Sequence, residues 1–125
     1  MPVPAQPFPS DRGSEGDAVP PDNAAHLLVR SGPGAGSRFA LTRARTAIGR
    51  SAKNDVVLDD VTVSRRHAVI ERVGSAHHLR DVGSLNGTYV DLHRIEYAEL
   101  RHGDEVRIGR FTLVFRAAAA VSSSR

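Results

Sequence analysis

No cysteine occurs among the 125 residues, and that one absence removes disulfides, thiolate nucleophiles and cysteine-ligated zinc together. Aromatics are scarce as well, with four Phe, two Tyr and no Trp. Phe39, Tyr89, Phe111 and Phe115 lie in strand-like apolar patterns that assign them to core or half-core positions. Too few remain to build a base-stacking platform for nucleic acid. No apolar run approaches the roughly 18 residues that cross a bilayer. The opening MPVPAQPFPS has neither the basic nor the apolar region of a secretion signal, so a cytoplasmic location without membrane contact is expected. Also missing is an apolar period of 3.6 residues sustained over three turns, the mark of an amphipathic helix.

What is present is a mildly basic chain, net charge +3, with its charge unevenly placed. Residues 1–25 hold Asp11, Glu15, Asp17 and Asp22 against Arg12, whereas residues 26–116 hold fifteen Lys/Arg against ten Asp/Glu. An acidic segment on a basic domain suggests an anionic partner, although on charge alone a mixed soluble surface is the favoured reading. The first stretch is rich in Pro, Gly, Asp and Ala and poor in aliphatic side chains. Residues 1–25 are therefore expected to be a disordered tail, 26–116 one domain, and 117–125 a flexible end. Nothing calls for more than a monomer.

Within that domain short apolar runs alternate with turn residues. HLLVRS, SRFAL, TAIG, DVVL, HAVIER, HHLRDV, TYV, EVRIG and RFTLVFR each read as a strand. The last two are clearest: Val106 and Ile108 alternate with polar neighbours, then Phe111, Leu113 and Phe115 alternate again, and Gly109-Arg110 between them suits a type II′ hairpin turn. Many short strands with no helix predict an all-β fold, a β-sandwich of two mainly antiparallel sheets.

Candidate sites reduce by chemistry. SGPGAGS, residues 31–37, lacks the Gly-Lys-Ser/Thr of a nucleotide loop and precedes a strand, so it reads as a hairpin turn. Six histidines have no helical metal-site spacing, and adjacent His77 and His78 on a strand face opposite ways, so no metal or other cofactor is expected. Ser64, His67 and Asp81 hold the residue types of a hydrolytic triad but lack a nucleophile elbow, and arginines beside the serine make its hydroxyl a donor to anions. Nucleic acid is disfavoured because the cations are spread over the strands. A compact dianion remains. Arg50 and Arg65 supply guanidiniums, Ser64 and Ser84 hydroxyls, and Asn86 an amide, from loops that a sandwich gathers at one end. A phosphomonoester with about two negative charges and three acceptor oxygens matches that set. Asn86-Gly87 is equally a strong tight-turn signal with no function of its own.

Gly49-Arg50, Ser64-Arg65-Arg66-His67 and Ser84-Leu85-Asn86-Gly87-Thr88, in this order and at these intervals, resemble the forkhead-associated (FHA) domain, an Arg-cluster reader of phosphorylated motifs. The resemblance spans roughly residues 26–116. It implies about eleven strands, no catalysis, and binding of phosphothreonine peptides. Arg50, Ser64 and Arg65 would hold the phosphate with help from Ser84, and Asn86 would bond the peptide backbone. Gly49, His67, Gly87 and Thr88 would support the site structurally. Longer stretches, GPGAGSRFAL, LDDVTVSRRHA, DVGSLNGTYV and GDEVRIGRFTLVF, resemble the short actinobacterial FHA proteins of the glycogen accumulation regulator group. That implies Ser/Thr protein kinases and enzymes of 2-oxoglutarate and glutamate metabolism as partners. In that group a phosphorylated tail threonine closes the protein's own site. Here the first threonine is Thr42 and the tail offers only Ser10 and Ser14, so a reader without that switch is expected. Asp91, where the family often has Asn or Gly, is expected to place a negative charge near the peptide track. An FHA fold that binds partner surfaces independently of phosphorylation is the alternative.

Overall fold

The structure is a computed structural model that describes residues 24–118. The expectations for the tail over 1–25, its two serines and the end over 117–125 fall outside the described residues, apart from 24–25 and 117–118. Every regular element among the described residues is a β-strand. One sheet has six strands in the order β2 (Arg38–Ala40), β1 (His26–Ser31), β11 (Phe111–Arg116), β10 (Glu105–Ile108), β7 (Thr88–Val90) and β8 (His93–Ile95). The other has five, β4 (Val56–Val57), β3 (Arg45–Gly49), β5 (Ala68–Val73), β6 (Ala76–Asp81) and β9 (Tyr97–Leu100). All pairings are antiparallel except β3 with β4.

Alternation decides which faces meet. Leu27 and Val29 of β1, Val106 and Ile108 of β10, and Phe111, Leu113 and Phe115 of β11 are buried and alternate with less buried neighbours. They pack on Ile48, Ile70 and Leu79 from the facing sheet in one apolar cluster. Each fully buried aliphatic side chain contributes about 1.5–3 kcal/mol, enough for this interior to hold two layers without a helix. Gly109 has φ +59° and Arg110 is not in the left-handed region, as a type II′ turn requires. Residues 32–37 close the β1–β2 hairpin, in which Leu28 pairs with Arg38.

The register brings particular loops together. Thr88 pairs with Ile108 beside the Gly109–Arg110 turn, while Ile48 and Asp81 both pair with Ala68. The β3–β4, β4–β5, β6–β7 and β10–β11 loops therefore share one end, called here the rim. Asp91 does not belong to it. It sits in the β7–β8 turn at the other end of β7, where it exchanges hydrogen bonds with the Glu105 backbone. Strand β7 runs three residues, about 10 Å, away from the rim, so the expected charge near the peptide track is corrected to a turn residue. Asp91 and Leu92 both have positive φ, 49° and 73°, as a two-residue type I′ turn demands.

Candidate functional site

Arg50 follows the last residue of β3, and its position is fixed from both backbone and side chain. Its N–H donates to the Ser64 carbonyl and its Nε–H to the Val63 carbonyl, each at 3.0 Å. The terminal amino groups of the guanidinium have no hydrogen-bond partner among the described residues and remain available. The next ties join the β3–β4 loop to the β4–β5 loop. Ser51 N–H donates to the Arg65 carbonyl at 3.3 Å, and Asn54 Nδ2 donates to the same carbonyl at 2.7 Å and to Ser51 O at 2.9 Å. A Cβ on Gly49 would stand 2.2 Å from the Arg65 carbonyl oxygen. Only glycine permits these loops to lie so close.

Ser64 and His67 connect this corner to the β6–β7 loop. The Ser64 N–H donates to His67 Nδ1 at 3.1 Å, and His67 Nε2 is 2.9 Å from the Gly87 carbonyl. A carbonyl only accepts, so the hydrogen lies on Nε2 and Nδ1 is the acceptor. The imidazole is fully enclosed, at 0% exposure, and its backbone also bonds Ile48 and Val82. Every polar group of this residue is engaged in holding loops, which leaves none for proton transfer. Ser64 Oγ accepts the Leu85 N–H at 2.9 Å. One lone pair is thereby used while the hydroxyl proton stays free to donate outward.

Asp81 organises the third loop. Its Oδ1 accepts N–H groups of Gly83 and Ser84 at 2.8 and 2.9 Å, and its Oδ2 accepts the hydroxyls of Ser84 and, at 2.8 Å, Thr88. Burial alone would raise its pKa, but these bonds outweigh that and lower it to about 2. Ser84 Oγ thus gives its proton to Asp81 and receives the Gly87 N–H at 3.0 Å. The hydroxyl expected beside the phosphate is engaged inward. Asn86 Nδ2 donates to the Thr62 carbonyl at 3.0 Å, which leaves its Oδ1 as the free group. Thr62 in turn takes the Arg110 N–H on Oγ1 at 3.0 Å and donates its own N–H and hydroxyl to Asp60. The Thr62 bonds, aided by Arg110, hold the Asp60 carboxyl below its ordinary pKa.

Arg50, Ser64, Arg65 and Asn86 therefore come to one rim, with Gly49, His67, Gly87 and Thr88 beneath. Reading residues one by one missed Asn54, Thr62 and Asp60, and it weighed Asp81 only as a triad member. Asn54 bonds the Arg65 carbonyl 11 positions away, Thr62 meets Asn86 and Arg110 at 24 and 48 positions, and Asp60 meets Arg110 at 50, so no local pattern marks them. Arg50 and Arg65 also line a groove of about 670 Å³ that continues past Lys53, Asn54, Asp59 and Arg66.

The family model described as "FHA domain" matches residues 46–109. An oxoglutarate dehydrogenase inhibitor of Corynebacterium jeikeium is 50% identical over 111 residues, covering 84% of this chain and 77% of its own. The glycogen accumulation regulator of Mycobacterium tuberculosis is 49% identical over 113 residues, covering 90% and 69%. A solved FHA domain studied for phosphothreonine-dependent interactions superposes with a TM-score of 0.70 at 31% identity, over 74% of this chain and 95% of that one. With its β-sandwich, its rim loops and relatives at half identity, the chain belongs to the FHA-domain family.

Proposed function

We propose that this chain reads phosphothreonine peptides at the rim and acts, without catalysis, as an adaptor or regulator in Ser/Thr-kinase signalling in the cytoplasm. The observation that carries the reading is the state of the Ser64 hydroxyl. It accepts the Leu85 N–H on one lone pair and its proton is free, beside a guanidinium fixed through Nε with its terminal groups open. Arg50, Ser64 and Arg65 hold the phosphate, the Asn86 carbonyl accepts an N–H of the peptide backbone, and Ser84 serves by keeping the β6–β7 loop in place. Three or four charge-assisted bonds at about 1.5–3 kcal/mol each, less ordering costs, correspond to roughly micromolar affinity. The names of the relatives make enzymes of 2-oxoglutarate metabolism the first partners to try.

Calorimetry with a phosphothreonine peptide, its unphosphorylated form and its phosphoserine form is the test. The first binds, the second does not, and loss of one buried methyl weakens the third by about tenfold or more. Arg50→Ala and Ser64→Ala abolish binding while the thermal transition persists. Undiminished affinity in either variant rejects the site. A second reading, docking on folded partners without phosphate, is favoured by Val61 and Leu85, which are 91% and 84% exposed beside the bonds that join their loops. In that case partner binding survives phosphatase treatment and falls in Val61→Ser/Leu85→Ser.

A further inference from the structure

Resting on the phosphopeptide reading above, we propose that Lys53 and Arg66 form a second anion subsite. It selects peptides that carry an acidic group close to the phosphothreonine. The groove that begins at Arg50 and Arg65 does not end at the phosphate seat. It extends along the β3–β4 loop between Lys53 and Arg66, with Asp59 as its one carboxylate, and its volume is about 670 Å³. That is the size of a pocket for a drug-sized molecule rather than for a single phosphate.

Charge gives the same answer. Four cations and one carboxylate line the groove. Elsewhere Arg30, Arg43, Arg80 and Arg110 pair with Glu105, Asp55, Glu71 and Asp60, but among the described residues none of the four groove cations has a salt bridge. Like charges in a concave site repel one another and concentrate the field in it. A phosphate dianion of about −1.5 to −2 leaves roughly one positive charge unmatched, which a neighbouring carboxylate or further phosphate would meet. The subsite is also held in advance. Lys53 N–H bonds Ser51 Oγ at 3.2 Å, and the Asn54 and Ser51 bonds to the Arg65 carbonyl fix the backbone just before Arg66. Backbone ordering on binding is thereby reduced. The β6–β7 loop with Asn86 lies outside this groove, so the subsite is separate from the residue assigned to the peptide backbone.

The test uses the full chain and a series of phosphothreonine peptides, by calorimetry at low and at physiological salt. One has neutral flanks, two have paired aspartates before or after the phosphothreonine, and two have a second phosphothreonine in those places. At least one acidic flank binds about three- to tenfold tighter than the neutral peptide, as one or two exposed ion pairs allow, and the advantage shrinks as salt rises. Lys53→Gln/Arg66→Gln removes that advantage and retains binding of the neutral-flank peptide. Arg107→Gln/Arg116→Gln, with the same net charge but outside the groove, keeps it. Comparison of the aspartate and phosphate arms says which anion is preferred. Equal affinity for all flanks, or an advantage that survives in Lys53→Gln/Arg66→Gln, overturns the proposal. If the neutral-flank peptide fails to bind wild type, the failure lies instead with the phosphopeptide reading.

Discussion

His67 at the rim and His77 at the far end are both enclosed imidazoles, 0% and 7% exposed, yet they are treated differently. His67 uses both ring nitrogens to hold loops. His77 leaves Nε2 without a partner among the described residues, packs on the Phe115 ring at 5.3 Å and borders an apolar recess of about 660 Å³ with Leu41 and Leu100. Buried polar groups cost little only when satisfied. The rim therefore needs its polar groups in fixed places, whereas the far end needs only to close the core. A fixed array of donors is what an anion reader requires, because ordering them at the moment of binding would consume affinity.

Substitutions at the two ends test this contrast. His67→Ala should have the largest effect: it strands the Ser64 N–H and the Gly87 carbonyl, at about 1–3 kcal/mol each. Urea melts should show a loss of about 3–5 kcal/mol, together with loss of phosphopeptide binding. Gly49→Ala should come next, because its methyl meets the Arg65 carbonyl of the backbone most closely and crowds the Asn54 amide as well. A cost of about 2 kcal/mol in thermal melts is expected, with affinity at least tenfold weaker as Arg65 moves off Arg50. Asp81→Asn tests the third loop through pH. The folded-state pKa near 2 lies below the ordinary 3.8. Its contribution is present above about pH 4 and is lost as pH falls toward 2, about 1 kcal/mol after solvent screening. Acid titration of stability should be flatter over that window in Asp81→Asn.

His77→Leu should have the smallest effect, within about 1 kcal/mol and without change in binding. Burial, then the charge of Arg72, lowers the His77 pKa from 6.5. The unfolded chain takes up a proton below that value before the fold does, so wild-type stability declines as pH drops below about 6.5. The leucine variant should lose part of that decline. A large cost or a binding defect in His77→Leu would erase the distinction between the two ends.

The sequence carried the strand alternation of β10 and β11 openly, because side chains on a half-buried strand repeat every two residues. Strands β8 and β9 escaped that reading. His93-Arg94-Ile95 is short with little burial, and β9 buries only Leu100 among its four residues. At the site, the outward-facing Arg50, Ser64, Arg65 and Asn86 were legible from residue chemistry and motif order. Which way the Ser84 hydroxyl turns was not, because it depends on Asp81 accepting four hydrogen bonds at once. Asp91 was misplaced for a different reason. It was placed by the family's usual residue at that position, and one three-residue strand carries it to the other end of β7.

Thr62 has a consequence for how the molecule comes apart. It lies in a loop between strands of the five-stranded sheet, and the Arg110 N–H it receives comes from a hairpin of the six-stranded one. A methyl on Gly109 would stand 2.4 Å from its hydroxyl oxygen, and Asn86 closes on its carbonyl. Prising the layers apart at this edge means losing all these ties in one step, so the face that greets a partner cannot fray strand by strand and behaves as a single buckle.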